Sequence, residues 1–94
     1  MARPKKDRCV CCTPGAFYFK PRGIPLCRLE EVPLSLDELE ALRLADQEKL
    51  YHGPAALRMK VSRATFGRIL REARGKVAST IIQGKALRIA PPKK

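Results

Sequence analysis

The sequence predicts a mainly α-helical domain, a bundle of three to four helices with a helix-turn-helix and one short β element. Three observations predict this fold class. Residues 54–74 have the apolar pattern of two helices joined by a tight turn. Residues 35–50 form an amphipathic pattern that starts with a capping signal. The aromatic run at residues 17–20 and the alternating KALRI segment at residues 85–89 are expected to pair as strands. We expect a basic, cysteine-containing arm (1–12), one domain (13–90, with the motif at 54–74) and a basic tail (91–94).

The arm carries four cations close together around Pro4. An unpaired, solubilising terminus is one interpretation of this pattern. The other is an arm that follows a phosphate backbone or enters a minor groove, as the arms of homeodomains do. The cations are Arg3, Lys5, Lys6 and Arg8.

Four cysteines, Cys9, Cys11, Cys12 and Cys27, are candidate ligands for zinc or an iron–sulfur cluster. Their spacing includes no C-x-x-C pair, and two of them are adjacent, which is awkward around one tetrahedral ion. We therefore expect reduced thiols and no cofactor. A cysteine-based metal or redox sensor stays open as an alternative function.

Residues 13–33 contain four prolines and two glycines, which exclude a continuous helix. The aromatic run Phe17–Tyr18–Phe19 is expected to be a strand that packs on the core. An extended, partly buried segment around Leu29 and Val32 is expected to follow it.

Residues 35–50 give the clearest helix prediction. Ser35 followed by Glu38 is a capping box, and Asp37 adds negative charge to the first turn. The predicted buried stripe is Leu36, Leu39, Leu42 and Ala45, with Leu50 just beyond. The residues predicted to be exposed are Glu40, Arg43 and Asp46.

In residues 54–74 the first helix is predicted to begin at Pro54 and the second at Ser62, which is a good N-cap. Lys60 stands where such turns usually place a glycine in the left-handed region, and His52 is expected to be a surface or capping residue. The apolar faces are Ala55, Ala56 and Met59 on the first helix, Val61 in the turn, and Phe66, Ile69, Leu70 and Ala73 on the second. This arrangement is typical of a helix-turn-helix that places its second helix in the major groove of DNA.

The outer face of the second helix is rich in arginine. Arginine forks match both phosphate oxygens and the O6/N7 edge of guanine, whereas a merely solvated helix face usually mixes charges of both signs. The residues predicted to face bases are Ser62, Arg63, Ala64, Gly67 and Arg68. Those predicted to contact phosphates are Arg58, Lys60, Arg71, Arg74 and Lys76, together with Arg3, Lys5, Lys6 and Arg8 of the arm.

The apolar pattern continues beyond Arg74, which predicts a helix that runs to about Gln83 and ends with Gly84 as its cap. Gly75 is compatible with a bend or with the start of a separate helix. Ile81 and Ile82 are expected to lie either in the core or in a homodimer contact.

The net charge of +11 is unevenly distributed. Residues 1–28 carry seven cations against one acid, residues 29–50 carry two against seven, and residues 51–94 carry eleven against one. A polyanion partner accounts for the two basic ends, so double-stranded DNA is the expected partner, with RNA as an alternative. The acidic helix at residues 35–50 offers a second hypothesis, a docking surface for transcription machinery such as RNA polymerase.

The sequence argues against several other classes. It offers no paired catalytic carboxylates, phosphate loop or nucleophile–base arrangement, so we expect no enzyme. No apolar run approaches a membrane span, and no apolar segment follows the basic N-terminus as a secretory signal would require. A cytoplasmic protein is therefore expected.

Five segments recur in order in one family: MARPKK, YFKPRGIPL, LDELEALRLAD, VSRATFGRIL and GKALRI. The chain resembles this family of small, uncharacterised prokaryotic proteins regarded as DNA-binding, whose helix-turn-helix is similar to the promoter-reading region of bacterial sigma factors. The resemblance covers nearly the whole chain. It implies DNA binding and transcriptional regulation, and it supplies neither a target sequence nor an effector.

Overall fold

In a computed structural model, which describes residue 10 and residues 14–90, three α-helices pack against a small three-stranded sheet. The predicted fold class, mainly helical with a short β element, is confirmed. The elements in chain order are β1 (Tyr18–Phe19), a 3-10 turn (Leu26–Arg28), β2 (Glu31–Leu34), α1 (Leu36–Leu42), a π-helical segment (Arg43–Gln47), α2 (His52–Met59), α3 (Arg63–Gln83) and β3 (Ala86–Ile89).

Strand β3 lies in the centre of the sheet. It pairs with β1, as predicted, and the pairing is antiparallel, with Tyr18 opposite Arg88. It also pairs in parallel with β2, with Val32 opposite Leu87, a strand for which the sequence predicted only extended chain. Pro33 cannot donate to a ladder, and β2 accommodates it because this strand lies at an edge of the sheet. All three helices lie in the connection between the two parallel strands, a crossover that such pairing requires.

Helix α1 begins with the predicted capping box. The Glu38 amide donates to Ser35 Oγ at 3.2 Å, and the Ser35 amide donates to Glu38 Oε1 at 3.0 Å. Its last part widens into the π-helical segment, where the Glu48 amide donates to the Arg43 carbonyl at 2.8 Å. The helical conformation ends at Gln47, three residues before the predicted end.

The prediction that Glu40 is exposed was wrong. Its side chain is only 1% exposed and accepts two hydrogen bonds of 2.9 Å from the Arg43 guanidinium. Helix α1 lies between two groups of buried residues, so more than one stripe of it is covered. Arg43 supplies the opposite charge that a buried carboxylate needs. The residues predicted as the buried stripe (Leu36, Leu39, Leu42, Ala45 and Leu50) are half-buried, while Glu40, Ala41 and Leu44 are buried.

The helix-turn-helix core has the predicted composition. The apolar faces of α2 and α3 are buried together with Ala41 and Leu44 of the preceding helical region, and Val61 packs against this group from the turn. A second buried group, Leu34, Ala73 and Ile89, joins α3 to the sheet. The buried members from α2 and α3 are Ala55, Ala56, Met59, Phe66, Ile69 and Leu70.

Helix α2 begins at His52 and not at Pro54, with Tyr51 as its N-cap. Proline is tolerated at the third helical position because first-turn amides have no acceptor within the helix. Helix α3 continues without interruption through Gly75 and ends at Gly84, whose φ of 65° is the predicted left-handed cap. Ile81 and Ile82 are exposed, so they do not belong to the core of this domain.

Candidate nucleic-acid interface

The turn between α2 and α3 fixes the start of the second helix. Lys60 takes the left-handed conformation that glycine usually supplies in such a turn, with φ 59° and ψ 44°. Its amide donates to the Leu57 carbonyl at 3.1 Å, and the Val61 amide donates to the Ala56 carbonyl at 3.1 Å. A left-handed lysine costs about 1–2 kcal/mol relative to ordinary helical conformation. The buried core on both sides and these two hydrogen bonds hold the turn in this conformation.

Ser62 is the N-cap of α3. Its Oγ accepts from the Thr65 amide at 3.1 Å and donates to Thr65 Oγ1 at 2.9 Å. The exposed first turn of α3 is therefore well ordered by its own sequence. The hydroxyl of Ser62 is already engaged in capping, although the residue is exposed at the helix start.

A basic groove of about 700 Å³ runs along the outer face of α3. It brings together four of the five residues predicted to face bases, namely Arg63, Ala64, Gly67 and Arg68; Ser62 lies outside it. Arg71 and Arg74 extend the groove by another turn. The groove residues are His52, Arg63, Ala64, Gly67, Arg68, Leu70, Arg71 and Arg74, which we call the α3 groove.

Three arginines of the α3 groove are exposed and form no ion pair with any acid in the described part of the chain: Arg63, Arg68 and Arg71. Arg58 and Lys60, predicted phosphate contacts on α2 and in the turn, are exposed in the same way. These five cations therefore have charge available for an external anion.

Two other predicted phosphate contacts have carboxylate partners. Arg74 donates to Asp46 through Nη2 at 2.7 Å and through Nε at 3.3 Å. Lys76 donates to Glu38 Oε1 at 2.8 Å and is 30% exposed. The hydrogen bond from Arg74 lowers the pKa of Asp46, and the same bond raises the pKa of Arg74. Arg74 lines the groove, but its charge is shared with Asp46.

His52 is a groove residue that the sequence analysis did not select. Its ring lies 5.3 Å from the Phe66 ring in an edge-to-face arrangement. A Cβ on Gly67 would lie 3.7 Å from His52 Nδ1, so the imidazole flanks the glycine directly. One signal was available in the sequence: His52 lies two residues before Pro54, the predicted start of the first helix of the motif.

The acidic helix offers little free carboxylate. Glu40 is buried against Arg43, and Glu38 is 13% exposed and bonded to Lys76. Glu48 is 49% exposed and lies 3.4 Å from Arg43. The surface that a partner would contact in the docking hypothesis is thus smaller and more neutral than the sequence suggested.

The arm and tail residues, Arg3, Lys5, Lys6, Arg8, Cys9, Cys11 and Cys12 among them, lie outside the described residues. Cys27 is described and is exposed on the 3-10 turn. Between residues 14 and 90 no cluster of three or more His, Cys, Asp or Glu side chains could hold a metal ion. In the same span, no helix combines the length and the apolar character needed to cross a bilayer.

Comparison with known proteins identifies one family. The family described as "Protein of unknown function DUF134" matches residues 1–91. A UPF0251 protein of Desulfosudis oleivorans is 54% identical over 89 residues, which are 95% of this chain and 64% of that protein. UPF0251 protein CT0950 of Chlorobaculum tepidum is 54% identical over 85 residues, 90% of this chain and 56% of that protein.

A shorter relative aligns over most of its length. UPF0251 protein VV2_0946 of Vibrio vulnificus is 53% identical over 87 residues, 93% of this chain and 87% of that protein. The chain thus spans less than two thirds of the first two relatives and most of the third. No solved structure matches the chain significantly.

Proposed function

Because the chain belongs to the DUF134 family, whose description assigns no activity, we propose from its own surface that it is a DNA-binding protein and a transcriptional regulator. In this proposal the N-terminal half of α3 enters the major groove of DNA. The protein surface that we call the α3 groove then faces the base pairs. The observation that carries this proposal is a set of three exposed arginines along one helix face, Arg63, Arg68 and Arg71, which have no acidic partner in the part of the chain that the structure describes.

The distribution of ion pairs supports a nucleic-acid face at this position. Elsewhere in the domain, arginines and lysines from the π-helical segment, α3 and β3 are bonded to carboxylates, and those bonds stabilise the fold. Along the first three turns of α3, Arg63, Arg68 and Arg71 form no such bond with any described carboxylate, and their charges repel one another. A polyanion offsets this repulsion, and each neutralised phosphate releases condensed counterions.

The small residues between the arginines support base contact as well as phosphate contact. Ala64 and Gly67 line the groove and lie between Arg63 and Arg68 in the sequence. Without bulky side chains there, the helix backbone can approach base edges closely. An arginine at either side then reaches guanine O6 and N7 with two hydrogen bonds.

Selection from a pool of random duplexes, performed at two salt concentrations, tests the proposal. We expect an enriched sequence motif that the protein binds well above bulk DNA. If no sequence is enriched and binding falls steeply as salt is added, α3 makes only nonspecific electrostatic contacts with DNA. That result would refute the proposal that the protein is a sequence-specific transcriptional regulator. A double-stranded RNA competitor in the same assay distinguishes the two nucleic acids, because A-form RNA has a major groove too narrow for side-chain reading.

Arginine variants then locate base reading. Arg63→Ala or Arg68→Ala should weaken binding to the selected site by about 1–3 kcal/mol if the residue makes a bidentate base contact. Arg28→Ala is the matched control, since it removes one exposed positive charge from the 3-10 turn, away from the helix-turn-helix. Equal losses on the selected site and on random DNA would remove the base-reading role from the residue tested.

We place the protein in the cytoplasm, where DNA is accessible to a bacterial regulator. The two rival hypotheses predict different results in the same experiments. A docking module would lose its partner on charge reversal of Glu48 while DNA binding stays unchanged. A cysteine-based sensor would bind metal through Cys9, Cys11, Cys12 and Cys27, and metal analysis of protein purified without chelator measures that directly.

A further inference from the structure

Among the described residues that line the α3 groove, only His52 comes from an element other than α3. It is the first residue of α2, whereas the other groove residues belong to α3. Its side chain is exposed and forms no hydrogen bond or ion pair with another described residue. The sequence contains one histidine, so this ring is the only imidazole of the chain. Both of its nitrogens are thus available to a group from outside the described part of the molecule.

The core of the domain holds the ring of His52 in place. The ring centroid lies 5.3 Å from that of Phe66, and the two planes make an angle of 69°. Phe66 is fully buried, so this contact is a fixed one. On the groove side, Nδ1 lies 3.7 Å from the position that a Cβ on Gly67 would take. The imidazole therefore borders the groove at Gly67 and loses little conformational freedom when it binds a group there.

The charged groups that share the groove with His52 are all arginines from α3. No described carboxylate lines the groove, and Glu72, the acid of α3, lies outside it. A groove of this composition attracts anions, and a protonated imidazole adds a fifth positive charge to it. The four arginines are Arg63, Arg68, Arg71 and Arg74.

The other helical elements packed against α2 are α1 and the π-helical segment. Their acids, and the acid that follows them, are each bonded to another side chain, and none lines the groove: Asp37, Glu38, Glu40, Asp46 and Glu48. The exposed cations on this side, Lys49 and Arg58, add to the positive charge of the region. The described residues thus offer a protonated His52 no carboxylate of its own, and an external anion can take that place.

We propose that the protonated imidazole of His52 binds a phosphate of the DNA backbone, so that DNA binding takes up a proton. This step rests on the proposed function. α2 is the first helix of the motif, and in helix-turn-helix complexes that helix crosses the backbone while the second helix reads the bases. A proton on the ring and a phosphate beside it favour one another, and this coupling is reciprocal. An unperturbed histidine titrates at about pH 6.5, so DNA affinity should rise as the pH falls from about 8 to about 6.

Titration of a random-sequence duplex at these two pH values tests the contact without a known target, since phosphate contacts need no particular bases. The wild-type chain should bind about two- to fivefold more tightly at the lower pH, the range of an exposed ion pair. Its log–log salt slope should also be steeper there by about 0.9, the contribution of one further phosphate. Both differences should disappear in His52→Gln. The N-terminal amine and the thiols, which titrate near the upper pH, are the same in both proteins.

His52→Gln combined with Gln83→His is the matched control. Gln83 is exposed at the end of α3, 16 residues from Gly67, which is about 24 Å along the helix. That distance exceeds the about 8 Å over which exposed charges interact at physiological ionic strength. The chain then has the same number of titratable groups, but the pH dependence should not return. Circular dichroism reports whether each variant is folded.

Calorimetry in two buffers of different ionisation enthalpy counts the protons that the wild-type chain takes up on binding, and it needs no variant. Three results would overturn the contact: no proton uptake, a wild-type affinity that varies with pH no more than that of folded His52→Gln, or a pH dependence that returns in the control and so follows net charge alone. An enriched DNA motif together with any of these would leave the proposed function standing. A pH dependence that behaves as expected, without an enriched motif, would refute the regulator and keep the phosphate contact. A chain that binds no duplex at either pH would overturn both.

Discussion

A substitution at Gly67 is expected to have opposite effects on the stability of α3 and on DNA binding. Gly67 sits inside α3 with no positive φ, and a Cβ would meet His52 only at the ordinary contact distance of 3.7 Å. Gly67→Ala should therefore stabilise the fold by about 0.5–1 kcal/mol. The same methyl group would stand in the α3 groove and weaken binding to the selected DNA site. Thermal unfolding and DNA titration of one variant measure both effects.

Gly75→Ala is the control for that experiment. Gly75 is also interior to α3, and a Cβ there meets nothing within 4 Å. It should bring the same gain in stability and leave DNA affinity unchanged, since Gly75 lies outside the α3 groove. If both alanine variants bind DNA like wild type, Gly67 is not needed for close approach.

Asp46 restrains an arginine of the groove. Asp46→Asn removes the charge that Arg74 contacts at 2.7 Å, so Arg74 becomes free for a phosphate and DNA affinity should rise on any sequence. The contribution of the Asp46–Arg74 pair to the stability of the fold should depend on pH in one direction. The pKa of Asp46 is lowered in the folded state, so the pair stabilises the fold above the unfolded pKa and this contribution is lost as the pH falls through the folded pKa.

Both partners in that pair are about half exposed, so solvent screening limits the contribution to about 0.2–1 kcal/mol. Chemical unfolding near pH 6 and below pH 4 should show the wild-type advantage over Asp46→Asn shrinking in acid. A variant whose stability deficit is the same at both pH values would contradict the assigned pKa direction. Unchanged DNA affinity would show that Arg74 does not reach the backbone.

At the scale of elements, the π-helical segment was the least predictable part of the fold. The capping box, the Ser62 cap and the Gly84 cap were all predicted correctly because each depends on a few neighbouring residues. The burial of Glu40 depends on the two groups of buried residues that pack against α1 from different sides. The leucine stripe of α1 predicts only one buried face, so this burial could not be predicted from it. Strand β2 was missed for a similar reason: its partner β3 lies some 50 residues away.

The buried Glu40–Arg43 pair joins α1 to the start of the π-helical segment. Glu40→Ala should destabilise the domain by about 1–3 kcal/mol, since it removes the buried carboxylate to which the half-buried Arg43 donates two hydrogen bonds of 2.9 Å. The loss stays below the about 3–5 kcal/mol of a fully buried pair because Arg43 is 24% exposed. The urea midpoint measures it. Glu48→Ala, the exposed partner, should cost less than about 1 kcal/mol; equal losses would mean that burial does not set the cost.

At the scale of the whole molecule, charge and shape were predictable to different degrees. The basic character of the α3 face follows from residue spacing alone, so four of the five predicted base-facing residues line one groove. The pairing of Arg74 and Lys76 with acids of the preceding helical region depends on how α3 crosses it. The sequence therefore identified the positive face and overestimated how many of its cations are available.

The salt dependence of DNA binding counts those cations directly. The logarithm of the binding constant falls with the logarithm of salt concentration by about 0.9 per phosphate neutralised. Five exposed cations of the helix-turn-helix have no acidic partner among the described residues: Arg58, Lys60, Arg63, Arg68 and Arg71. They set an upper limit of about 4.5 for their share of the slope. The four cations of residues 1–8 add at most about 3.6 if the arm binds the backbone.

Deletion of residues 1–8 should reduce the slope of this salt dependence by up to about 3.6 and weaken binding to all DNA sequences equally. The selected motif should not change, because phosphate contacts carry no direct sequence information. A deletion that leaves the slope unchanged would make the arm a solubilising terminus. A deletion that alters the motif would place the arm in a minor groove, where arginines read the width of A·T-rich segments. Either result leaves base reading by α3 to be judged by Arg63→Ala and Arg68→Ala, since those side chains lie on a different element.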